Sequence, residues 1–141
     1  MSVVQGLFFA LDPGTKKTGV AIGNTITNMA TALEPVDGNA AEQLTRLADL
    51  YRVWKPQLAV IGQPAGDGTA KKARARSDEL AEELRRKLKI PVEFIDEAYS
   101  TQAARAERAL SGQRRASGID SHAARLLAEA WLADLLRREA A

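Results

Sequence analysis

The sequence contains no cysteine and only one histidine. Disulfides and thiolate metal sites are therefore excluded, and a reducing compartment is permitted. Apolar runs are short as well, since none approaches the roughly 20 residues that a membrane-spanning helix needs. The run from Leu7 to Leu11 has no basic residue before it and ends at an acid, so it does not fit a signal peptide. We therefore expect a cytoplasmic protein with no membrane segment.

A large excess of either charge is also lacking, since 20 Lys and Arg residues face 18 Asp and Glu residues for a net charge of +2. Hydrophobic residues make up 45% of the chain and charged residues 27%, as in ordinary globular domains. The length of 141 residues favours one domain, over residues 1–141, with a single core.

The basic residues are grouped in a predicted turn, at the start of a predicted helix and in a polar loop. The groups are Lys16 and Lys17, then Lys71, Lys72, Arg74 and Arg76, then Arg114 and Arg115. They are candidates for contacts with nucleic-acid phosphates, which position a strand without reading its sequence. Basic residues also keep a small protein soluble, and the grouping alone does not decide between the two explanations.

Short apolar runs bounded by turn residues predict five strands. They cover residues 7–12, 18–23, roughly 29–36, 58–62 and 92–97. The first two should form a hairpin, and the fourth is continuously apolar, as expected of a central strand covered on both faces.

Helical periodicity predicts four helices. They run from 40 to 54, from the loop at 63–69 to about Leu88, from Ser100 or Thr101 to Leu110, and from Ile119 to about Arg138. Pro56 should end the first helix. A hairpin meander followed by alternating helices and strands implies an α/β protein, with helices on both faces of a mixed sheet. Ligands of such sheets bind at the carboxyl ends of parallel strands, so acids that end strands are the candidates for a site.

Asp12 ends the first predicted strand. Asp-Pro-Gly is also good turn chemistry by itself, because Asp bonds the backbone, Pro13 presets φ and Gly14 would take the left-handed position. The sequence therefore leaves two interpretations of Asp12 open, a turn residue and a residue of a functional site.

Asp96 and Glu97 end the fifth predicted strand. Alternation sends the two side chains to opposite faces, without indicating which one faces a site. Two adjacent acids are also typical of a strand that simply leaves the core for water.

Asp120 heads the last predicted helix and shares a face with Ala124, Leu127 and Trp131, at spacings of four, three and four. Leu127 and Trp131 make that face the buried one, so Asp120 should point toward the sheet. The alternative is a helix N-cap, a position that Asp favours.

If acids from these three segments converge beside basic residues, they suggest a divalent cation. Carboxylates alone favour Mg²⁺ or Mn²⁺ over zinc. The only histidine, His122, is ranked below the acids, as an accessory candidate. A lone histidine near a helix start is more often a surface or capping residue than a metal ligand.

Four segments closely resemble the motifs of the YqgF/RuvX family of pre-16S rRNA nucleases, which are related to Holliday-junction resolvases. They occur in the family order: LDPGTKKTGVA at 11–21, IGQP with DGT between 61 and 69, FIDEAYST at 94–101 and IDSHAA at 119–124. The resemblance implies a ribonuclease H-like fold, a mixed five-stranded sheet in which an antiparallel meander precedes two parallel strands. It also implies that the family's three acids fall on Asp12, Glu97 and Asp120, and so selects Glu97 over Asp96.

With the residues, the resemblance implies two-metal hydrolysis of phosphodiester bonds with Mg²⁺ or Mn²⁺. The favoured substrate is RNA, at the 5′ end of pre-16S rRNA, and the alternative is a Holliday-type DNA junction. A symmetric junction resolvase would need a two-fold dimer, and both a monomer and a homodimer are open. Two positions depart from the family pattern: Pro13 is more similar to the junction resolvases, and Ala98 stands where the family usually has arginine.

Two other classes of function fit parts of the pattern. Asp-x-Gly-Thr at a hairpin also resembles the phosphate loop of actin-like ATPases and sugar kinases, but those folds need two such lobes and 141 residues supply one. The second class is a non-catalytic module that binds nucleic acid in RNA processing or transcription. The presence of all three acids argues against this class.

Overall fold

The computed structural model describes residues 6–64, 71–96 and 121–140. Its strands are β1 (Leu7–Asp12), β2 (Lys17–Asn24), β3 (Met29–Asp37), β4 (Ala59–Gln63) and β5 (Val92–Asp96). They form one sheet in the order β3-β2-β1-β4-β5. β2 is antiparallel to both β1 and β3, whereas β4 is parallel to both β1 and β5. The predicted antiparallel meander followed by two parallel strands is confirmed.

The helices of the described residues are α1 (Ala40–Trp54), α2 (Lys71–Leu88) and α3 (His122–Ala140). The bounds of α1 and the end of α2 agree with the sequence prediction. The helix predicted from Ser100 or Thr101 to Leu110 lies outside the described residues. Within the three described ranges, no helix is both long enough and apolar enough to cross a membrane.

α1 is capped at both ends. The Asn39 side chain accepts a hydrogen bond from the Glu42 amide, and the Glu42 carboxylate accepts one from the Asn39 amide. At the other end Lys55 is left-handed, with a φ of 50°, and its amide donates to the Tyr51 carbonyl. The helix therefore ends in a left-handed cap before Pro56 is reached, and not through Pro56 alone.

Alternate residues of β1 face opposite helical layers. Leu11 packs with Leu47 of α1 and Leu80 of α2 on one face of the sheet. Ala10 packs with Leu127 of α3 on the other face. Burial of each leucine stabilises the fold by about 1.5–3 kcal/mol. The prediction of helices on both faces is confirmed, and β1 lies at the centre of the core.

α3 is held against the sheet by its predicted apolar face, where Ala124, Leu127 and Trp131 are all buried. The Trp131 ring lies 4.6 Å from the Phe8 ring, centroid to centroid. Its indole N–H donates to Glu93 Oε1 of β5 at 3.1 Å. Apolar packing and one directional bond therefore fix the rotation of α3 about its axis.

Candidate active site

The carboxyl ends of β1, β4 and β5 lie side by side at one edge of the sheet. Leu11 of β1 pairs with Ile61 of β4, and Gln63 at the end of β4 pairs with Asp96 of β5. Asp12 follows Leu11 directly and is partly buried. The first candidate acid therefore lies at the edge where parallel strands end, as strand order predicts.

Strand alternation places Asp12 and Asp96 on opposite faces of the sheet. Ala10, two positions before Asp12, packs in the cluster beneath α3, so Asp12 faces the α3 side. Ile95 packs in the same cluster, so its neighbour Asp96 faces the α2 side. Asp96 therefore does not share a face with Asp12, and Glu97 lies outside the described residues.

Ser121 fixes the start of α3 to the same edge. The register of β2 against β3 shifts just before Val20, and the Val20 amide donates to Ser121 Oγ at 3.0 Å. Val20 is the strand partner of Leu11, the residue before Asp12. Ser121 is buried, with 1% of its surface exposed. Asp120, which precedes it in the sequence, lies outside the described residues.

We expect Ser121→Ala to lower the free energy of unfolding by about 1–3 kcal/mol, because the buried Val20 amide loses its acceptor. Thr45→Ala is the matched control, since the exposed Thr45 hydroxyl donates to the Ala41 carbonyl within α1. Its removal should change stability by less than about 0.5 kcal/mol. Urea unfolding measures both values, and equal midpoints for the two variants would show that Ser121 does not anchor α3.

The turn between β1 and β2 requires glycine at position 14 for a steric reason. A β-carbon on Gly14 would overlap the Lys17 carbonyl oxygen. The left-handed backbone predicted for Gly14 is wrong, because the glycines with positive φ in the described ranges are Gly6 and Gly38. Close approach of the backbone, rather than a special backbone angle, therefore explains this glycine.

Three buried side chains hold this turn, and we call them the turn network: Thr18 of β2, Gln43 of α1 and Arg76 of α2. The Gly14 amide donates to Thr18 Oγ1 at 3.2 Å. The Gly14 carbonyl accepts from Arg76 Nε at 2.9 Å and from Gln43 Nε2 at 3.2 Å. Gln43 Oε1 accepts from the Thr18 hydroxyl at 2.6 Å and from Arg76 Nη2 at 2.7 Å. Three elements of the fold therefore meet on one residue of the turn.

Arg76, which the sequence groups with the candidates for phosphate contacts, is a buried residue. Its side chain is 5% exposed, and beyond the turn network it contacts Glu79 at 2.8 Å and Glu83 at 3.8 Å. Helical spacing turns position 76 inward with Leu80, four residues later. The prediction that Arg76 contacts phosphate is therefore wrong, because its donors are directed at acceptors inside the protein.

Burial raises the pKa of the Glu83 carboxyl above its usual range, and the nearby charge of Glu79 raises it further against the lowering effects of Arg76 and Arg86. Within the described parts of the chain, buried Glu83 Oε1 has no hydrogen-bond partner. The Glu83 carboxyl therefore holds its proton more tightly in the folded state than in the unfolded chain. The stability that this contributes is present at low pH and is lost as the pH rises through the raised pKa.

The other described members of the predicted basic groups are exposed near the same edge: Lys16, Lys17, Lys71, Lys72 and Arg74. Arg74 donates to the Pro64 carbonyl at 3.0 Å. Because Pro64 directly follows β4, this bond ties the first turn of α2 to the carboxyl end of β4. Arg114 and Arg115 lie outside the described residues.

His122 is partly buried at the start of α3, with Nδ1 3.1 Å from a guanidinium nitrogen of Arg125. The anchor at Ser121 thus brings the accessory candidate to the same edge. Among the described residues, no group of three acidic, histidine or cysteine side chains could hold a metal ion. Two of the three predicted ligands, Glu97 and Asp120, lie outside the described residues.

Sequence reasoning missed Ser121 and Gln43. The partner of Ser121 is 101 positions away in the chain, so no local pattern indicates the contact. Gln43 lies four positions before Leu47 on the buried face of α1. That spacing is the signal that could have identified a buried amide.

The fold is similar to that of solved resolvases of Holliday junctions. RuvC of T. thermophilus, in complex with a Holliday junction substrate, has a TM-score of 0.62 at 16% identity, covering 93% of this chain and 96% of that chain. Fowlpox virus resolvase, in complex with Holliday junction DNA, has a TM-score of 0.56 at 11% identity, covering 92% and 99%. With the strand order and pairing directions, these likenesses define a protein of the ribonuclease H-like fold.

The family model described as Holliday junction resolvase, RuvX, matches residues 6–134. The chain therefore belongs to the RuvX family, as the motifs implied. A relative from Chromohalobacter salexigens is 36% identical over 135 residues, which cover 92% of this chain and 91% of the relative. One from Pseudomonas aeruginosa is 34% identical over 133 residues, covering 91% and 92%. Both relatives are named "Putative pre-16S rRNA nuclease".

Proposed function

We propose that this chain is a metal-dependent nuclease that hydrolyses phosphodiester bonds, with Asp12, Glu97 and Asp120 as the ligands of Mg²⁺ or Mn²⁺. The observation that carries the proposal is the hydrogen bond from the Val20 amide to Ser121. It ties the residue after Asp120 to β2, opposite the end of β1. Because consecutive Cα atoms are about 3.8 Å apart, this contact supports a position for Asp120 close to Asp12.

Strand alternation supports Glu97 rather than Asp96 as the second ligand. Asp12 and Ile95 face the α3 side of the sheet, and Asp96 faces the other side. A strand that continued in the same pattern would return to the α3 side at position 97. This agrees with the residue that the family motif selects.

The donor set fits hard divalent cations, because all three ligands are carboxylates and the chain has no cysteine. When bound, a pair of ions supplies an activated water and stabilises charge at the leaving oxygen. Asp12 holds a fixed place at the end of a buried strand and would anchor the ions, with Glu97 and Asp120 completing the ligand set. His122 is a proposed accessory group beside them.

The exposed cations near this edge are proposed phosphate contacts: Lys16, Lys17, Lys71, Lys72 and Arg74, with Arg114 and Arg115 from the polar loop. Carboxylates among such cations would repel a polyanion unless metal ions lay between them. A mixture of acids and bases at one edge is therefore better explained by a nuclease than by a module that only binds nucleic acid.

RNA is the proposed substrate, because relatives that cover over nine-tenths of this chain are named "Putative pre-16S rRNA nuclease". The motif resemblance adds the 5′ end of pre-16S rRNA as the proposed place of cleavage. Such a role belongs in the cytoplasm. Junction DNA is the second candidate, and the description of the family model favours it. Symmetric cutting of a junction calls for a two-fold homodimer, whereas RNA cleavage needs only a monomer.

The test is cleavage of three labelled substrates: a pre-16S rRNA fragment, a generic single-stranded RNA and a four-way DNA junction. Each is incubated with the purified protein in Mn²⁺, in Mg²⁺ and in chelator. We expect cleavage of the rRNA fragment with either ion and none with chelator. Cleavage of the junction alone would replace RNA by DNA as the substrate. The absence of cleavage of every substrate would favour the binding module.

A further inference from the structure

The geometry points to the turn network, Thr18, Gln43 and Arg76, as a set of positioning residues for Asp12. They fix the turn that follows β1 and thereby keep the Asp12 carboxylate in one place toward a bound ion. The inference rests on the proposed function, because it presumes that Asp12 is a metal ligand. In this role the three side chains act through Asp12 and do not themselves contact the ion or nucleic acid.

Both backbone groups of Gly14 are held by the network. Its amide belongs to the peptide plane shared with Pro13 and is bonded to Thr18. Its carbonyl belongs to the next plane and is bonded to Arg76 and Gln43. The peptide planes on both sides of Gly14 are therefore oriented by β2, α1 and α2 together.

Little freedom remains between Gly14 and the Asp12 side chain. The backbone dihedrals that separate the Gly14 amide from the Asp12 Cα are ψ of Asp12 and the φ and ψ of Pro13. The proline ring locks its own φ near about −65°. Fixing the Gly14 amide therefore restrains the orientation of the Asp12 backbone at the end of β1. Because Pro13 has a fixed φ, this restraint is stiffer than it would be with another residue at position 13.

The burial of Arg76 supports a positioning role. A buried ion pair is often replaceable by apolar residues with no loss of stability, so stability alone does not explain an arginine here. Its rigid fork donates at once to the Gly14 carbonyl and to Gln43 Oε1, which a single ammonium group does not reproduce. The alternative is that the network only satisfies buried polar groups, and metal affinity separates the two explanations.

The experiment is calorimetric titration of the full chain with Mn²⁺ alone, so that the readout does not depend on catalysis. Thr18→Val and Arg76→Lys remove bonds to the turn while keeping nearly the same volume or charge. We expect each to raise the Kd for Mn²⁺ about tenfold or more, as loss of a supporting group around a metal ligand does. Thr18→Ser keeps the hydroxyl and should bind Mn²⁺ within about twofold of wild type.

Glu83→Gln is the matched control, because it alters the outer contact of Arg76 and leaves the bonds to Gly14 intact. Its Kd for Mn²⁺ should match wild type. Circular dichroism verifies folding, and Thr18→Val, the milder change, decides the outcome if Arg76→Lys does not fold. Wild-type affinity in folded Thr18→Val would overturn the positioning role and leave the proposed function standing. Wild-type affinity in Asp12→Asn would overturn both.

Discussion

Asp12→Asn is expected to lower metal-dependent cleavage by at least about 10²–10³-fold, the loss that follows removal of one preorganised electrostatic group from an active site. Asparagine has the same shape as aspartate and is equally suited to a turn. The substitution therefore removes the charge that an ion needs and preserves any role in the turn. It separates the two explanations of Asp12 that the sequence leaves open.

A melting experiment measures the same site without a substrate. At a Mn²⁺ concentration about 100 times Kd, binding should stabilise the wild-type protein by about 2.7 kcal/mol, a rise on the order of 10 °C. In Asp12→Asn that rise should vanish, while the melting temperature without metal stays close to wild type.

Asp96→Asn is the matched control for Asp12→Asn, because Asp96 ends β5, the parallel strand on the far side of β4, and faces the opposite side of the sheet. It should keep both the cleavage rate and the Mn²⁺-induced rise in melting temperature. If Asp12→Asn and Asp96→Asn behave alike in both measurements, Asp12 is not a metal ligand.

Gly14→Ala is expected to destabilise the protein by about 1–3 kcal/mol, the usual cost of adding a methyl group where there is no space. The added carbon meets the Lys17 backbone rather than a flexible side chain. The turn must therefore shift, and the bonds from Thr18, Gln43 and Arg76 to Gly14 must lengthen or break. We expect Mn²⁺ affinity to fall with stability, since Asp12 is two positions away.

Thr15→Ala is the control for Gly14→Ala, because Thr15 is the next residue of the turn and its side chain is exposed. Its effect on unfolding should stay within about 0.5 kcal/mol. Denaturant unfolding followed by titration with Mn²⁺ gives both quantities for both variants. Stability and affinity equal to wild type in Gly14→Ala would mean that the turn adjusts freely and that its position does not matter.

The fold could be predicted from the sequence where each local pattern matches its surroundings. The run at 58–62 reads as a central strand, and β4 indeed lies between β1 and β5 with both faces covered. The bounds of α1 follow from its periodicity, and the capping box at Asn39 and Glu42 agrees with them. Spacing along the last helix identified its buried face, because period and burial coincide there.

The site was less predictable because its contacts join residues that are far apart in the chain. Gln43 and Arg76 are 33 positions apart, and Val20 and Ser121 are 101 apart. Helical spacing could have shown that Arg76 points inward, but the basic residues around it favoured a surface interpretation. Glu97 and Asp120 stay predictions, since both lie outside the described residues.

β3 is an edge strand, and edge strands present backbone amides and carbonyls that can pair with another molecule. Its pairing with β2 is irregular between the partners of Thr18 and Val20, and Pro35, which has no amide hydrogen, lies in that stretch. A second chain that approaches β3 therefore meets an interrupted ladder in place of a long regular template. Polymerisation by strand addition is therefore disfavoured along this stretch of β3.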